Sequence, residues 1–225
     1  MSIVVMKFGG TSVADIDCIK NVAQKVVNQY KKNKKIVVVV SAMSGATDSL
    51  VNLTNQISEK RNLEEYDVVV SSGEQVTAGL LAMAISDLSV KSRSLMGWQI
   101  PIITDDTHYK AIIENISNTN IFTLLNNEEI VVIPGFQGVT SENRISTLGR
   151  GGSDTSAVAI AASIKAERCD IYTDVDGVYT TDPNLTKKAK KIKVLSYEEM
   201  LEMSSLGAKV MQPASIQDAK LNKVK

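Results

Sequence analysis

The 225-residue chain carries 25 Lys and Arg against 25 Asp and Glu, a net charge of zero at pH 7, which removes the electrostatic case for a nucleic-acid or membrane-surface partner. One Trp and three Phe leave little aromatic surface for stacking bases, and the two cysteines, Cys18 and Cys169, have neither metal-ligand spacing nor the number for a disulfide framework. A hydrophobic share of 44% is enough for a sizeable core, and no uninterrupted apolar run reaches the roughly 18 residues of a bilayer span, so a cytoplasmic protein is expected.

Ile3-Val4-Val5-Met6 reads as a strand buried on both faces, and it runs into Lys7-Phe8-Gly9-Gly10-Thr11-Ser12. A lysine at the end of a buried strand can point into a cleft while the two glycines let the backbone turn beneath a phosphate. This is not the Walker pattern, whose lysine follows its glycines. From about Ala14 to Lys32, Ile16, Ile19, Val22, Val26, Val27 and Tyr30 share one helical face, and the lysines that follow suit a solvated helix end. Ile36–Val40 predicts a second strand, followed by the polar stretch Ser41–Asp48; Val68–Val70 predicts a third, ending in Ser71-Ser72-Gly73-Glu74-Gln75 and a helix through Leu88.

Leu95 to Thr104 suggests an extended edge segment, and Thr107-His108-Tyr109 a lead into a helix around Ile112. The single histidine, His108, has no visible partner and reads as a helix-start or surface residue rather than a base. Ile130–Ile133 is a fourth predicted strand, ending in Pro134-Gly135-Phe136-Gln137-Gly138. In Leu148-Gly149-Arg150-Gly151-Gly152-Ser153-Asp154, three glycines permit close backbone approach. The next segment has Ala157, Ile160, Ala161 and Ile164 at helical spacing. A helix N-terminus beside Arg150 suits an anion such as a phosphate. The stretch around Ile171 is a fifth strand with an acidic turn, Thr173–Gly177, and Lys187 to Lys193 a solvated basic loop.

Helices alternating with hydrophobic strands predict an α/β fold with a parallel-rich sheet, and such sheets bind ligands beyond the carboxyl ends of their strands. Lys7, Ser41, Glu74, Gln137 and Asp174 all fall at that expected end. A glycine-rich turn alone is most often a tight connection; five such loops together predict a site. Fixed positive charges at Lys7 and Arg150, glycine amides at 9–10 and 149–152, and acids at Glu74, Asp154, Asp174 and Asp182 suit phosphoryl transfer, in which the protein positions reactants and neutralises moving charge. No nucleophile-and-base pair for acyl transfer is visible, and Lys209 has no clear role on residue chemistry alone.

Seven stretches carry a resemblance: KFGGTSV at Lys7–Val13, SAMSGAT at Ser41–Thr47, SSGE at Ser71–Glu74, GFQG at Gly135–Gly138, TLGRGGSD at Thr147–Asp154, TDVDGVYTTDP at Thr173–Pro183 and GAKVMQP at Gly207–Pro213. In order and spacing they resemble the aspartate kinases of the amino acid kinase superfamily. The resemblance implies one catalytic domain over residues 1–225, a three-layer α/β/α sandwich with a largely parallel central sheet. Residues 1–146 would mainly bind aspartate and 147–225 mainly nucleotide. It implies transfer of the γ-phosphoryl of MgATP to the β-carboxylate of L-aspartate, the first step towards lysine, threonine and methionine.

By position, Lys7 would stabilise charge on the moving phosphoryl, with Gly9 and Gly10 cradling phosphates. Ser41, Thr47, Glu74, Arg150 and Ser153 would hold aspartate, and Asp154 would organise the lysine and the metal-nucleotide. Thr173, Asp174, Tyr179, Asp182 and Lys209 would bind nucleotide. Mg²⁺ would ride on the ATP phosphates without a direct protein ligand. The attacking carboxylate is ionised at neutral pH, so no general base is needed.

The sequence departs from the family pattern at Asn184, where arginine is usual, and at Gln212, where histidine is common. The family's C-terminal ACT regulatory domains are absent from these 225 residues, and an unfinished sheet edge at Lys225 predicts a homo-oligomer. Another amino acid kinase, acting on glutamate or acetylglutamate, and a nucleotide-binding regulatory subunit without turnover stay open as alternatives.

Overall fold

The computed structural model describes every residue except Met1, Asn33, Glu59, Arg61, Asn184, Ala208 and Lys209. In chain order the elements are β1 (Ile3–Phe8), α1 (Ile16–Tyr30), β2 (Lys35–Val40), α2 (Ala46–Ile57), α3 (Leu63–Asp87), β3 (Ser92–Ser94), β4 (Ile102–Thr104), β5 (Ile113–Ile116) and α4 (Thr119–Asn126). There follow β6 (Ile130–Pro134), β7 (Gln137–Val139), β8 (Ile145–Thr147), α5 (Gly152–Ser163), β9 (Arg168–Tyr172), α6 (Tyr197–Ser205) and α7 (Pro213–Asn222). A 3-10 turn spans Gly10–Val13.

Five strands form a wholly parallel sheet in the order β3-β6-β2-β1-β9. Because strand side chains alternate, each face meets its own helical layer. Val4, Met6, Phe8, Val38 and Val132 pack with α1 and α3, through residues such as Val22, Val26, Leu81 and Ile85. Val5, Val37, Val39, Val131 and Ile133 pack with α4, α5 and α7, through Leu124, Ala157, Ile160 and Ala219. The result is a three-layer α/β/α sandwich, the architecture the sequence led us to expect. A second sheet, order β5-β4-β7-β8 and mixed in direction, was not legible in the sequence.

Two element assignments are corrected. Val68–Val70 is not a strand: it lies inside the 25-residue helix α3. Asn62 caps that helix by accepting from the Glu64 amide, Glu64 and Glu65 favour its first turn, and Tyr66, Val70, Ala78, Leu81 and Ile85 put a buried stripe along it that outweighs the β preference of three valines. By length and mean hydropathy α3 could cross a bilayer, but half of its most apolar window is buried in the fold, as in a core helix. The segment around Ile112 is likewise not a helix. It leads into β5, because the Asp105 carboxylate accepts the Ile112 amide at 2.9 Å and closes the loop onto β4. The Leu95–Thr104 segment is irregular at Leu95 and Met96 and turn from Gly97 to Pro101, and only then extended as β4, whose Ile102 and Thr104 are buried.

Candidate functional site

Lys7 is the penultimate residue of β1, paired in register with Val39 of β2 and Ile171 of β9. Its neighbours Met6 and Phe8 face α1 and α3, so alternation sends Lys7 to the α5 side, where its Nζ lies 2.6 Å from Asp154 Oδ1 in the first turn of α5. Both side chains are about nine-tenths buried, at 9% and 12% exposure. A buried carboxylate and ammonium are tolerable there because each compensates the other.

Glycines bring backbone to this pair. Gly9 donates its amide to the Tyr172 carbonyl at 3.1 Å, and a Cβ on Gly10 would stand 3.1 Å from the Ala42 carbonyl. On the other side, α5 opens at Gly151, whose φ of 76° is left-handed, without a side-chain cap. Gly135 lets the end of β6 press on the same turn, where a Cβ would come within 2.8 Å of Ser153 Cα. The Gly152 and Asp154 amides are taken by the Gly149 and Gly151 carbonyls, so the start of α5 offers the space beside Lys7 its dipole and the Ser153 amide.

That space is a cavity of about 520 Å³ at the carboxyl ends of β1, β2 and β9. Of the residues singled out from the sequence, Lys7, Gly9, Gly10, Ser41, Thr47, Glu74, Arg150, Ser153, Asp154, Thr173 and Asp174 line it. Thr11, Met43, Ser44 and Phe136 also line it and had no assigned role; Thr11 sits inside the KFGGTSV stretch, where its hydroxyl was the available signal.

Glu74 arrives from the middle of α3 rather than from a strand end. It is 3% exposed; Oε1 accepts the Ala42 amide at 3.2 Å, while Oε2 has no hydrogen-bond partner among the described residues. Burial pushes its carboxyl up to about 7, against the lowering effect of the Ala42 amide. An orphaned oxygen on a cavity wall is matched by a cationic or donor group on a ligand. Arg150 is exposed at the rim and makes no ion pair with a described residue.

Other residues singled out from the sequence do not line this cavity. Gln137 does not reach the cavity: it is fully buried and donates through Nε2 to the Ser71 carbonyl at 3.1 Å. Tyr179 does not line it either; its hydroxyl donates to Asp176 Oδ1 at 2.9 Å. Asp182 is exposed and outside the lining, and Lys209 and Asn184 lie outside the described residues. His108 is not without a partner, since its Nδ1 is 2.8 Å from Asp67 Oδ2. Among the described residues no three His, Cys, Asp or Glu side chains gather as a metal-binding group.

A parallel α/β sandwich whose strand ends bring a Lys–Asp pair, glycine turns and a helix N-terminus without a side-chain cap to one cavity defines a class: domains that take an anionic, phosphate-like ligand beyond the carboxyl ends of their strands. The comparison with known proteins narrows it. The chain belongs to the amino acid kinase family, whose model matches residues 2–225. It is 53% identical over 220 residues to an aspartokinase of Geobacillus stearothermophilus, covering 98% of this chain and 54% of that protein. Its structure superposes on aspartate kinase from Synechocystis with a TM-score of 0.88 at 41% identity, covering 99% of this chain and 37% of the other. Against E. coli aspartokinase III in complex with aspartate and ADP the TM-score is 0.89 at 29% identity, covering 99% and 60%. The chain spans about half the length of the curated relatives it matches.

Proposed function

We propose that this chain is the catalytic domain of an aspartate kinase, transferring the γ-phosphoryl of MgATP to the β-carboxylate of L-aspartate in the cytoplasm. One observation carries the reading: a single cavity is lined both by an anion cradle, Lys7 with the glycine-rich turns, and by side chains of opposite charge, Arg150 and Glu74. An amino-acid acceptor needs both signs, a guanidinium to clamp a carboxylate in bidentate fashion and a carboxylate to take the α-ammonium. Residues 1–146 would then supply most acceptor contacts and 147–225 most nucleotide contacts, with Arg150 and Ser153 reaching across.

In the transfer, a β-carboxylate oxygen forms the new bond to Pγ as the Pγ–O bond to ADP breaks, and no proton moves. Lys7 and the start of α5 stabilise charge on the moving group. Asp154 holds the ammonium of Lys7 in place, and Gly9 and Gly10 let the phosphates approach the backbone. Thr173, Asp174, Tyr179, Asp182 and Lys209 are proposed for the nucleotide. Mg²⁺, carried on the phosphates, supplies further charge neutralisation. We also propose a homo-oligomer, supported by Val76 and Met83, apolar side chains 57% and 69% exposed on α3.

The test is a hydroxamate assay for acyl phosphate with MgATP and, in turn, L-aspartate, L-glutamate and N-acetyl-L-glutamate, beside Lys7→Ala. Product with aspartate alone, lost in the variant, establishes the assignment. Product with another acceptor transfers it to that amino acid kinase. ATP binding without product leaves a nucleotide-binding subunit.

A further inference from the structure

Seven residues before Glu74, on the same face of α3, lies a second buried acid that the proposed chemistry does not use. Asp67 is 0% exposed. Its Oδ1 accepts the Thr147 hydroxyl at 2.6 Å, and its Oδ2 accepts the Thr147 amide at 3.1 Å and the Tyr109 amide at 3.0 Å, with His108 Nδ1 at 2.8 Å. A buried carboxylate is tolerable only when its oxygens are occupied in this way, and an apolar pair would hold the same elements together at a lower desolvation cost. What the carboxylate adds is direction.

The residues it holds are not scattered. Thr147 ends β8 and stands three positions before Arg150. Tyr109 lies under the corner that follows: at Gly149, φ is 76° and a Cβ would stand 3.4 Å from the Tyr109 carbonyl. Both the chain entering the glycine loop and the segment beneath it thus hang from one carboxylate. One turn further along the same helix face, the Ser71 carbonyl accepts from Gln137 of β7, and Glu74 then holds the Ala42 amide beside the Ser41–Thr47 loop. Arg144, in the turn joining β7 to β8, pairs with Glu65 at 2.5 Å and ties that hairpin to the start of the same helix.

We propose that Asp67 is a positioning residue, through which α3 sets the Gly149–Gly152 loop, and with it Arg150, at a fixed distance from Glu74. α3 is then a strut between the two charges that recognise the acceptor. What the loop recognises rests on the function proposed above; what holds the loop does not.

The experiment uses the 225-residue protein with Asp67→Asn, Thr147→Val and Thr147→Ser. Asparagine removes the charge and in either orientation sets its Nδ2 against a backbone amide that the carboxylate accepts, valine removes the 2.6 Å bond, and serine keeps it. Amide hydrogen exchange is followed for residues 148–152 and for the core strand β2. Steady-state kinetics are measured for L-aspartate and MgATP separately.

Loss of hydrogen bonds to a charged group predicts that the first two variants raise KM for aspartate about tenfold or more while KM for MgATP stays within about twofold. Exchange in the loop should accelerate about tenfold with β2 unchanged, and Thr147→Ser should match the parent. Unchanged loop exchange and unchanged KM in both variants overturn the proposal. So does a uniform loss, with β2 exchange, thermal midpoint and both KM values moving together, because that marks a purely structural residue. If the parent turns over no acceptor at all, the proposed function fails, and the loop-exchange comparison alone decides the role of Asp67.

Discussion

Lys7 Nζ and Asp154 Oδ1, 2.6 Å apart, join the end of the interior strand β1 to the first turn of α5 in the wall of the cavity. Removing the ammonium by Lys7→Ala should lower turnover about 10²–10³-fold, the range for losing one preorganised donor to a transition-state anion. It should also destabilise the fold by about 3–5 kcal/mol, through the buried carboxylate left without its cation. The double variant Lys7→Met with Asp154→Asn should regain most of that stability without regaining turnover. Denaturant midpoints and the hydroxamate assay check the two halves independently.

Glu74 makes stability and binding depend on pH in opposite directions. Its carboxyl is raised from 4.5 to about 7 by burial. Between those values the unfolded state has already lost the proton that the folded state keeps, so stability falls as pH rises through this window and levels off above it. The total change is up to about 3 kcal/mol. Glu74→Gln should flatten that slope in urea titrations from pH 4 to 8. A ligand ammonium favours the ionised carboxylate, so acceptor binding near pH 6 should release protons, measurable by calorimetry in buffers of different ionisation enthalpy. No difference between buffers would sever Glu74 from the acceptor.

Two glycines with the same left-handed φ of 76° should respond differently to alanine. At Gly45, the N-cap of α2, a Cβ meets nothing within 4 Å, so Gly45→Ala should cost about 1 kcal/mol of backbone strain alone. At Gly151 the added Cβ collides with the Gln212 side chain, so Gly151→Ala should cost more and weaken acceptor binding by displacing the neighbouring Arg150. Thermal midpoints and aspartate titration of both variants test the contrast.

Cys169 on β9 has its thiol pushed up to about 12, chiefly by burial and then by Asp170 and Asp154. Because the thiolate is the reactive form, Cys169 should resist a disulfide reagent at pH 8 in the native protein and react once the chain is unfolded in guanidinium. Mass mapping of the labelled thiols reads this out, and rapid native labelling of Cys169 would contradict the suppression of its thiolate.

Much of the site was readable in the chain because its chemistry is local. Lys7 with Gly9 and Gly10, and Gly149 through Asp154, each carry their own turn, charge and backbone freedom within a few residues, and both groups line the cavity. Residues whose role comes from a distant partner were misread. Gln137 follows a strand like the others, but its amide is spent on Ser71, 66 positions away in sequence. His108 had no partner in view because Asp67 is 41 residues away. Val68–Val70 looked like a strand because β-branched residues favour one locally, whereas helix caps and a long buried stripe decide over a wider span.

The sequence by itself determined the parallel core, since runs such as Ile36–Val40 can be stable only when covered on both faces, and it determined where glycine would admit an anion. Tertiary structure alone decided that Glu74 would enter the cavity from a helix, with one oxygen orphaned and its charge suppressed, and that Asp67 would be the hub of the loop opposite. Both depend on desolvation and on hydrogen bonds between segments far apart in sequence, and neither quantity exists until the chain has closed around them.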